Sequence, residues 1–491
     1  MMQRILENLK PEKLFYYFEE VSKIPRNSHE EQQISDYLMK FALDHGWAAR
    51  RDAVLNTVID IPASLGYEDR PKVILQGHMD MICVKEPNVE HDFTKDAIPL
   101  AYDGDWIYAK GTTLGADDGK AIALILALLD DKTLKHPPIQ AVFTSSEEVG
   151  LYGAQNIDAS MLDGKYFIGL DYSSDENVLV SCAGSSEHTI SIPAEKMAVT
   201  DLAKKKAFSI ALDGLTSGHG GGDIHRYRAN GVRLICEILC ALREQFSIEL
   251  AAIAGGSKPN VIPANGCATV LLSAADAQVA ETQLEKLRGT LKTEYQYTDP
   301  ELDMTWKEIA VPSECYSDKT LQSLLDCVDL LPLGLFNYLD AEHKFCKSSC
   351  NMGMVFEEAD CIKISEMVRG NSNYQHAQAI RRIHRAADRC GAAYEQESYT
   401  PAWEIRDHSP LAQQISNIWE KVRGVRPELN IIHATVEGGI FIEKMAALGK
   451  DIDVVNIGVK NPNVHTTKER MSIASFISAY ELLHTVLEEL R

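Results

Sequence analysis

The first part of the chain alternates between helical periodicity and short apolar runs. Apolar positions recur at helical spacing over residues 11–21 and 28–45, and Ser28 followed by Glu31 predicts a capping box at the second helix. Four apolar runs, at residues 57–61, 72–76, 141–144 and 166–170, predict strands. The stretch 120–131 is apolar nearly all round and predicts a buried helix. This alternation is typical of an α/β sheet with helices on its faces.

From about residue 183 the pattern changes. Strand-like runs at 188–193, 207–212 and 268–272 alternate with helical patterns at 226–246 and 277–295. A similar alternation covers residues 304–393 and ends in a strand at 361–368 and a helix at 373–390. We interpret this segment as an α+β insertion of two comparable lobes.

The α/β pattern returns after residue 401. A helix is predicted at 410–423, a strand at 453–458 and a last helix at 472–489. The prediction is therefore an α/β domain built from residues 1–182 and 400–491, interrupted by an inserted domain at 183–399.

Composition and charge exclude several classes of protein. The 491 residues include 71 acidic and 49 basic side chains, for a net charge of -22. This balance argues against a binder of nucleic acid or of an anionic membrane surface. The N-terminal residues show no signal-peptide pattern, and no apolar stretch is long enough for a transmembrane helix. The 11 cysteines are scattered without a CxxC pair, which predicts reduced, mostly buried thiols in a cytosolic protein.

Four segments place candidate metal ligands just after a strand-like run or at a glycine-rich turn. They are KVILQGHMDM with His78 and Asp80, GTTLGADDGK with Asp117 and Asp118, QAVFTSSEEVG with Glu147 and Glu148, and FIGLDYS with Asp171. Open α/β sheets bind ligands at the carboxyl ends of their strands. We therefore expect these side chains to form one site.

The residue types indicate the chemistry of this site. Imidazole combined with carboxylates suits zinc or a similar transition metal, whereas an all-oxygen set suits calcium or magnesium. A bridging carboxylate can hold two ions about 3.5–4 Å apart. Of the adjacent Glu147 and Glu148, one can bind metal while the other acts as general base. Taken singly, a strand-terminal aspartate is usually a turn residue and an EE pair a solvated helix start; their joint order favours the site.

These motifs also resemble those of a known family. GHMDM, LGADDG and TSSEEVG are similar to the metal-site motifs of the metallopeptidases that include carboxypeptidase G-like enzymes and peptidase T. HDFTKDAI, SCAGS, GHGGGDIH and IIHATVEGGIF resemble more closely the aminoacyl-histidine dipeptidases, also called Xaa-His dipeptidases or carnosinase-like enzymes. The resemblance runs from about residue 13 to the C-terminus.

The resemblance implies a fold, a cofactor and a substrate. The fold would be a zinc-peptidase-like catalytic domain with an inserted two-lobed lid, whose closure excludes water. The cofactor would be two divalent ions, expected to be zinc, with cobalt and manganese left open. The substrate would be an unsubstituted dipeptide, with a C-terminal histidine suggested by resemblance alone. The resemblance also suggests a homodimer formed through the lid.

The resemblance further implies roles for residues around the metals. The metal ligands would be His78, Asp117, Glu148, Asp171 and His465. Asp117 would bridge both ions, and Asp80 would orient His78. Glu147 would be the general base.

Four more residues receive roles in substrate handling. His219, in LTSGHGGGDIH, would stabilise the oxyanion, and Asn260, in KPNVIP, would contact the substrate. Arg369 is either a clamp for the substrate carboxylate or part of a structural ion pair. Glu437 is either a ligand of the substrate amine or a turn residue. Residues 314–353 match no motif.

Three alternatives stay open at this point. One is a hydrolase of the same fold that acts on another amide, such as an N-acyl amino acid. The second is a catalytically silent protein that binds peptide or metal, and the third is a structural or assembly role. An intact Glu147 argues against a silent binder, because binding alone does not need a base.

Overall fold

The computed structural model describes residues 4–491, so residues 1–3 of the predicted first domain lie outside the described part. The chain divides into two compact units. The first unit comprises residues 4–182 with Ile405–Ile431 and Val436–Arg491. The second unit comprises Ala183–Glu404 and Ile432–Thr435. The division into two compact units does not show which of them is catalytic, so the assignment of a catalytic domain and a lid stays a prediction.

The elements of residues 4–182 follow the predicted alternation. The helices are α1 (Glu12–Val21), α2 (Gln32–His45), α3 (Ala116–Leu129) and α4 (Tyr152–Asn156). The strands are β1 (Ala48–Arg51), β2 (Thr57–Ile61), β3 (Val73–His78), β4 (Leu100–Tyr102), β5 (Trp106–Ala109), β6 (Ile139–Thr144), β7 (Tyr166–Gly169) and β8 (Asn177–Cys182).

The middle segment is richer in strands. Its strands are β9 (Gly184–Pro193), β10 (Lys196–Ala198), β11 (Lys205–Asp213), β12 (Gly218–His219), β13 (Glu249–Gly256), β14 (Val261–Ile262), β15 (Gly266–Ser273), β16 (Asp303–Ile309), β17 (Glu314–Tyr316), β18 (Gly334–Tyr338), β19 (Cys346–Glu358), β20 (Cys361–Gly370) and β21 (Ala393–Thr400). Its helices are α5 (Gly231–Arg243), α6 (Ala277–Glu294), α7 (Asp318–Leu330) and α8 (Asn373–Arg389).

The last segment completes the first unit. It contains α9 (Pro410–Arg423), β22 (Glu428–Ile432), α10 (Gly438–Ala447), β23 (Asp453–Asn456), β24 (Arg470–Ser472) and α11 (Ile473–Glu489).

The first unit is built on an eight-stranded sheet in the order β1-β2-β6-β3-β7-β23-β8-β22. Its four central strands, β6, β3, β7 and β23, are parallel, so their carboxyl ends lie at one edge. The strand β23 comes from the last segment of the chain and pairs beside β7. A sheet assembled from both flanking segments confirms the predicted α/β class.

Close packing of α3 on β3 brings the start of this helix to the same edge. Along α3 nearly every residue is buried, as its continuous apolar run predicts. A Cβ atom at Gly77 of β3 would lie 2.4 Å from Ala121 Cβ and 2.7 Å from Asp118 Oδ2. Only glycine at position 77 therefore allows the helix to approach this closely.

The second unit is built on a nine-stranded antiparallel sheet in the order β16-β11-β15-β13-β19-β20-β9-β21, with β18 beside β19. The helices α5, α7 and α8 contribute to the apolar core on one face of this sheet. Two groups of strands meet where β13 pairs with β19, through Gly255 with Val355 and Gly256 with Met354. The sequence predicted two lobes that follow each other along the chain. The observed groups of strands differ from these lobes, because the early strand β9 pairs with the late strand β20, and the late strand β16 pairs with the early strand β11.

The predicted capping box at residues 28–31 is wrong. The helix α2 begins at Gln32, and its N-cap residue Glu31 makes no side-chain capping bond. Instead, Ser28 Oγ donates to Asp80 Oδ2, and Glu31 Oε1 accepts from the backbone N–H of Ser146. Both side chains are engaged by the segments around the candidate ligands, so they are not available to cap the helix.

The predicted helix at 226–246 begins later in the structure. The helix α5 starts at Gly231, where the Asn230 side chain accepts from the backbone N–H groups of Val232 and Arg233. A capping asparagine explains the shift, because it fixes the first turn at its own position.

Two sequence predictions concern membranes and thiols. Within residues 4–491, every helix is too short or too polar to span a membrane. All 11 cysteines are free, and six of them are buried: Cys182, Cys236, Cys315, Cys327, Cys346 and Cys350.

Buried histidines form part of the core of the second unit. Ser186 Oγ lies 2.7 Å from both His188 Nε2 and His376 Nε2, and His188 Nδ1 lies 2.8 Å from Tyr394 Oη. Burial lowers the pKa of His188 to about 4, and the nearby His376 adds to this shift. Burial likewise lowers the pKa of His376 to about 4, and the charge of Arg369 adds to that shift. Both imidazoles are therefore neutral in the folded protein at pH 7.

These neutral histidines predict acid sensitivity of α8. In the unfolded chain the two imidazoles bind protons below pH 6.5, whereas in the folded protein they do so only below about pH 4. The free energy of unfolding is therefore highest above pH 6.5 and decreases as the pH falls. The loss is about 1.4 kcal/mol per pH unit for each histidine. Hydrogen exchange of α8 peptides at pH 7.5 and 5.5, corrected for intrinsic rates, should show this destabilisation.

The matched variants are His376→Gln and His384→Gln, the second on an exposed position of the same helix. His376→Gln should reduce the pH dependence of the free energy of unfolding by about 1.4 kcal/mol per pH unit, and His384→Gln should leave that pH dependence unchanged. An unchanged dependence in His376→Gln would contradict the assignment.

Candidate metal centre

Candidate ligands meet at the carboxyl edge of the parallel strands. His78 is the last residue of β3, Glu147 and Glu148 follow β6, and Asp171 follows β7. His465 lies in the segment between β23 and β24. The structure thus brings together residues that the sequence places far apart.

Asp117 lies between the two histidines. Its Oδ1 is 3.3 Å from His78 Nε2, and its Oδ2 is 3.3 Å from His465 Nε2. Although Asp117 is in the first turn of α3, its φ of -85° and ψ of 104° are not helical. One carboxylate therefore offers a different oxygen to each imidazole.

Each histidine also has a second carboxylate nearby. Asp171 Oδ2 lies 3.9 Å from His78 Nε2, and Glu148 Oε1 lies 2.9 Å from His465 Nε2. Ligand atoms of Asp117, Glu148 and His465 lie within 4.8 Å of one another, and so do those of His78, Glu147 and Glu148. Together with a third such group, of His78, Asp118 and Asp171, they form one cluster of nitrogen and oxygen donors.

Asp80 organises both a histidine and the Glu147–Glu148 backbone. Its Oδ1 lies 3.2 Å from His78 Nδ1 and accepts a hydrogen bond from Glu147 N at 2.9 Å. Its Oδ2 accepts from Glu148 N at 3.2 Å. Burial acts to raise the pKa of Asp80, but its interactions with His78, the Glu147 backbone and Ser28 hold that pKa below the ordinary value. Asp80 is thus an ionised anchor.

Carboxylates are crowded in this site. Burial raises the pKa of Glu147 well above its ordinary value, and the charges of Asp171, Glu437 and Glu148 add to the rise. Burial together with Asp117 and Asp118 likewise raises the pKa of Asp171. Cations placed among these groups would relieve the repulsion.

His465 responds to the same negative charge. Hydrogen bonding to Asp117 and Glu148 raises its pKa to about 10, although its side chain is 48% exposed. The negative charge that raises this pKa would also stabilise a divalent cation at the same position. The donor set of imidazole nitrogens and carboxylate oxygens suits zinc-like ions.

Glu469 holds the segment that carries Asp117, and sequence reasoning missed it. Its Oε2 accepts from Leu114 N at 2.8 Å and Gly115 N at 2.9 Å, and its Oε1 accepts from Asp117 N at 3.1 Å. Nothing in the local sequence marks Glu469, because its partners lie about 350 residues earlier.

Two buried cations were also missed. Arg26 donates to the backbone carbonyls of Met79, Asp80 and Gly115 and so ties the β3 end to the start of α3. Lys120 Nζ lies 3.2 Å from Asp118 Oδ1, while Asp118 Oδ2 accepts from His78 N at 3.2 Å. A single lysine at the start of the apolar run of α3 was a signal that could have identified Lys120.

Glu437 is buried at the start of α10. Its Oε2 accepts from Gln76 Nε2 at 2.5 Å and from Thr144 Oγ1 at 2.9 Å. Its Oε1 is buried without a hydrogen-bond partner among residues 4–491. Burial raises the pKa of Glu437 to about 7.

The second unit brings its own candidates together. His219 Nδ1 accepts from Gly222 N at 2.8 Å and Gly221 N at 3.3 Å. The backbone carbonyl of Asn260 accepts from Gly220 N at 2.8 Å. Burial and the Arg369 charge lower the pKa of His219. The neutral imidazole must therefore carry its proton on Nε2, since Nδ1 acts as acceptor.

Arg369 lies in the same unit at the end of β20. Its side chain is nearly buried, and Nη1 donates to Thr435 Oγ1 at 3.1 Å. The structure thus gathers His219, Asn260 and Arg369 within the second unit.

Comparisons with known proteins are consistent with this geometry. The profile of peptidase family M20/M25/M40 matches residues 74–489. The cytosol non-specific dipeptidase of Escherichia coli (strain K12) is 28% identical over 485 residues, covering 99% of this chain and 99% of that protein.

Solved structures agree with the family match. The aminoacylhistidine dipeptidase from Vibrio alginolyticus superposes with a TM-score of 0.89 at 28% identity, covering 99% of this chain and 98% of that one. The aminopeptidase PepT from Bacillus cereus, at 15% identity, has a TM-score of 0.56 over 98% of each chain and is similar in fold.

The position of Glu469 predicts an effect on metal affinity. Glu469→Gln replaces one of its acceptor oxygens by an NH2 group that cannot accept from the backbone, so Asp117 should lose its fixed position. The dissociation constant for Zn²⁺, measured on metal-free protein, should rise about 10- to 100-fold. Glu443→Gln, at an exposed position of α10, should leave it unchanged; equal affinities in both variants would contradict the role.

Proposed function

Since this chain belongs to peptidase family M20/M25/M40, we propose that it hydrolyses unsubstituted dipeptides with two bound divalent metal ions. The single observation that carries the proposal is the position of Asp117, with one carboxylate oxygen toward each of His78 and His465. A bridging carboxylate of this kind is what a two-metal hydrolytic site requires.

We assign the ligands that the family resemblance implies, and the distances among these side chains support the assignment. His78 and Asp171 would hold the first ion, Glu148 and His465 would hold the second, and Asp117 would contribute to both. Zinc is the ion we expect, and cobalt or manganese would suit the same donors. When bound, the ions polarise the scissile carbonyl and lower the pKa of water.

Glu147 is the proposed general base. Its backbone is fixed by Asp80, and its side chain lies 4.0 Å from His78 Nε2. It takes a proton from the attacking water and delivers that proton to the leaving amine. Asp80 acts as a positioning residue, since its carboxylate orients His78 and holds the base at once.

Three residues of the second unit are proposed to bind the substrate. His219 donates its Nε2 proton to the oxyanion, because its Nδ1 is occupied by backbone N–H groups. Arg369 pairs with the substrate carboxylate, and Asn260 contacts the substrate backbone. In this reading the second unit is the lid of the catalytic domain.

Glu437 is proposed to bind the free amine of the substrate. Its Oε2 is held by Gln76 and Thr144, which leaves the buried Oε1 for a ligand. An ammonium group is the chemical partner that would stabilise such a carboxylate in its ionised form.

Finer features rest on the names of two relatives. One is called an aminoacylhistidine dipeptidase and the other a cytosol non-specific dipeptidase. We propose that this chain accepts Xaa-His dipeptides, such as β-Ala-His, among others. We further propose a cytosolic location from the second of these names, and a homodimer formed through the second unit from the family resemblance of the sequence motifs.

Hydrolysis of a dipeptide panel tests the function. Metal-reconstituted wild type should cleave members of a panel that includes β-Ala-His and Gly-His. Glu147→Ala should lose at least ~100-fold in kcat because the base is gone. Glu176→Ala, at an exposed position, is the matched control and should retain full activity.

Metal content of Glu147→Ala distinguishes loss of the base from loss of the ions. Two ions per chain together with the activity loss support the assignment. No cleavage of any dipeptide by wild type with two ions bound would overturn the proposed function. N-acyl amino acids would then be assayed as substrates, and failure there too would indicate a silent binder.

The role of Glu437 predicts a dependence on the free amine. Glu437→Gln keeps an oxygen for Gln76 and Thr144 but removes the charge. Its kcat/KM should fall about 10- to 100-fold on a free dipeptide, the value of a hydrogen bond to a charged group. Its effect on slow cleavage of the N-acetylated dipeptide should be small; an equal loss on both substrates would make Glu437 a structural residue.

A further inference from the structure

A lysine lies buried beside the proposed first metal site. Lys120 is the charged residue of an otherwise apolar run in α3, and its side chain is 0% exposed. Its Nζ lies 3.2 Å from Asp118 Oδ1, 3.6 Å from Asp117 Oδ1 and 3.8 Å from Asp171 Oδ1. These are its ion-pair partners among residues 4–491.

Nothing about the helix itself favours a cation at this position. The backbone departs from helical geometry at Asp117 and Asp118, so Lys120 lies in the first regular turn of α3. Helix N-termini disfavour positive charge, and burial of an ammonium group costs solvation energy. The three carboxylates are what hold Lys120 in place.

The contacts of Lys120 are on one side of the bridging carboxylate. Lys120 Nζ lies next to Asp117 Oδ1, the oxygen that faces His78, and it also lies next to Asp171. The oxygen that faces His465 is Oδ2. A fixed positive charge therefore adjoins Asp171 and the Asp117 oxygen on the side of the first ion, and among residues 4–491 it forms no ion pair with Glu148.

We propose that Lys120 makes the two metal sites unequal, so that the site of Glu148 and His465 fills before the site of His78 and Asp171. This inference rests on the proposed two-metal function. A buried ammonium repels a divalent ion bound to the carboxylates that it contacts, and low dielectric strengthens the repulsion. Before loading, the same ammonium offsets part of the repulsion among Asp117, Asp118 and Asp171.

Metal titration of the full chain tests the order of loading. Metal-free protein is titrated with Zn²⁺ by calorimetry with a competing chelator, and with Co²⁺ followed by its absorption spectrum. Wild type should bind two ions with dissociation constants at least ~10-fold apart. Asp171→Asn should abolish the weaker step, and Glu148→Gln should abolish the stronger one.

Two lysine variants isolate the charge. Lys120→Met keeps the length of the side chain but not its charge, and should tighten the weaker step at least ~10-fold while changing the stronger one less. Lys120→Arg keeps the charge and should retain the wild-type difference. Circular dichroism and thermal unfolding establish that each variant is folded.

The contrary outcomes are distinct. Equal affinities in wild type, or the reverse order in Asp171→Asn and Glu148→Gln, overturn the inference even if Lys120→Met does not fold. An unchanged ratio in a folded Lys120→Met makes the lysine a structural counterion only. Dipeptide hydrolysis with two equal sites would overturn the inference alone, and ordered binding without hydrolysis would overturn the proposed function alone.

Discussion

Repulsion among buried carboxylates is the constraint on which the first unit depends. The parallel strands and the start of α3 deliver Asp117, Glu147, Glu148 and Asp171 to one small region. Such groups cannot all be ionised in a buried site without compensating positive charge. Burial is the largest cause of the raised pKa values of Glu147 and Asp171, and repulsion from the neighbouring carboxylates adds to both shifts. Divalent ions and a buried ammonium are the compensating charges that this site can hold.

The same constraint explains the supporting structure. Carboxylates that repel each other stay close only if their backbones are fixed, and the hydrogen bonds of Asp80 and Glu469 supply that fixation. Arg26 adds a third tie through main-chain carbonyls. Gly77 allows α3 to lie against β3, so the helix start reaches the strand ends. The donor geometry is therefore a property of the whole sheet edge and not of the ligands alone.

Much of this could be predicted from sequence, for a physical reason. Strands followed by His78, Glu147 or Asp171 carry their ligands to one edge, and the periodicity of single segments is enough to place them. Glu469 and Arg26 act on distant backbone, which no local pattern records. Ser28 and Glu31 look like a local cap but serve the site, because tertiary contacts compete for the same oxygens. The strand order of the second unit could not be predicted from sequence either, since β9 pairs with strands that come much later in the chain.

The double task of Asp80 has a consequence for how this protein can vary. One carboxylate sets the direction of the His78 ring and the position of the Glu147 backbone. A change at Asp80 disturbs a ligand and the proposed base together, so no single later change restores both. Substitutions at Asp80 should therefore rarely be tolerated. Variants that carry one should also carry changes on both β3 and the segment after β6.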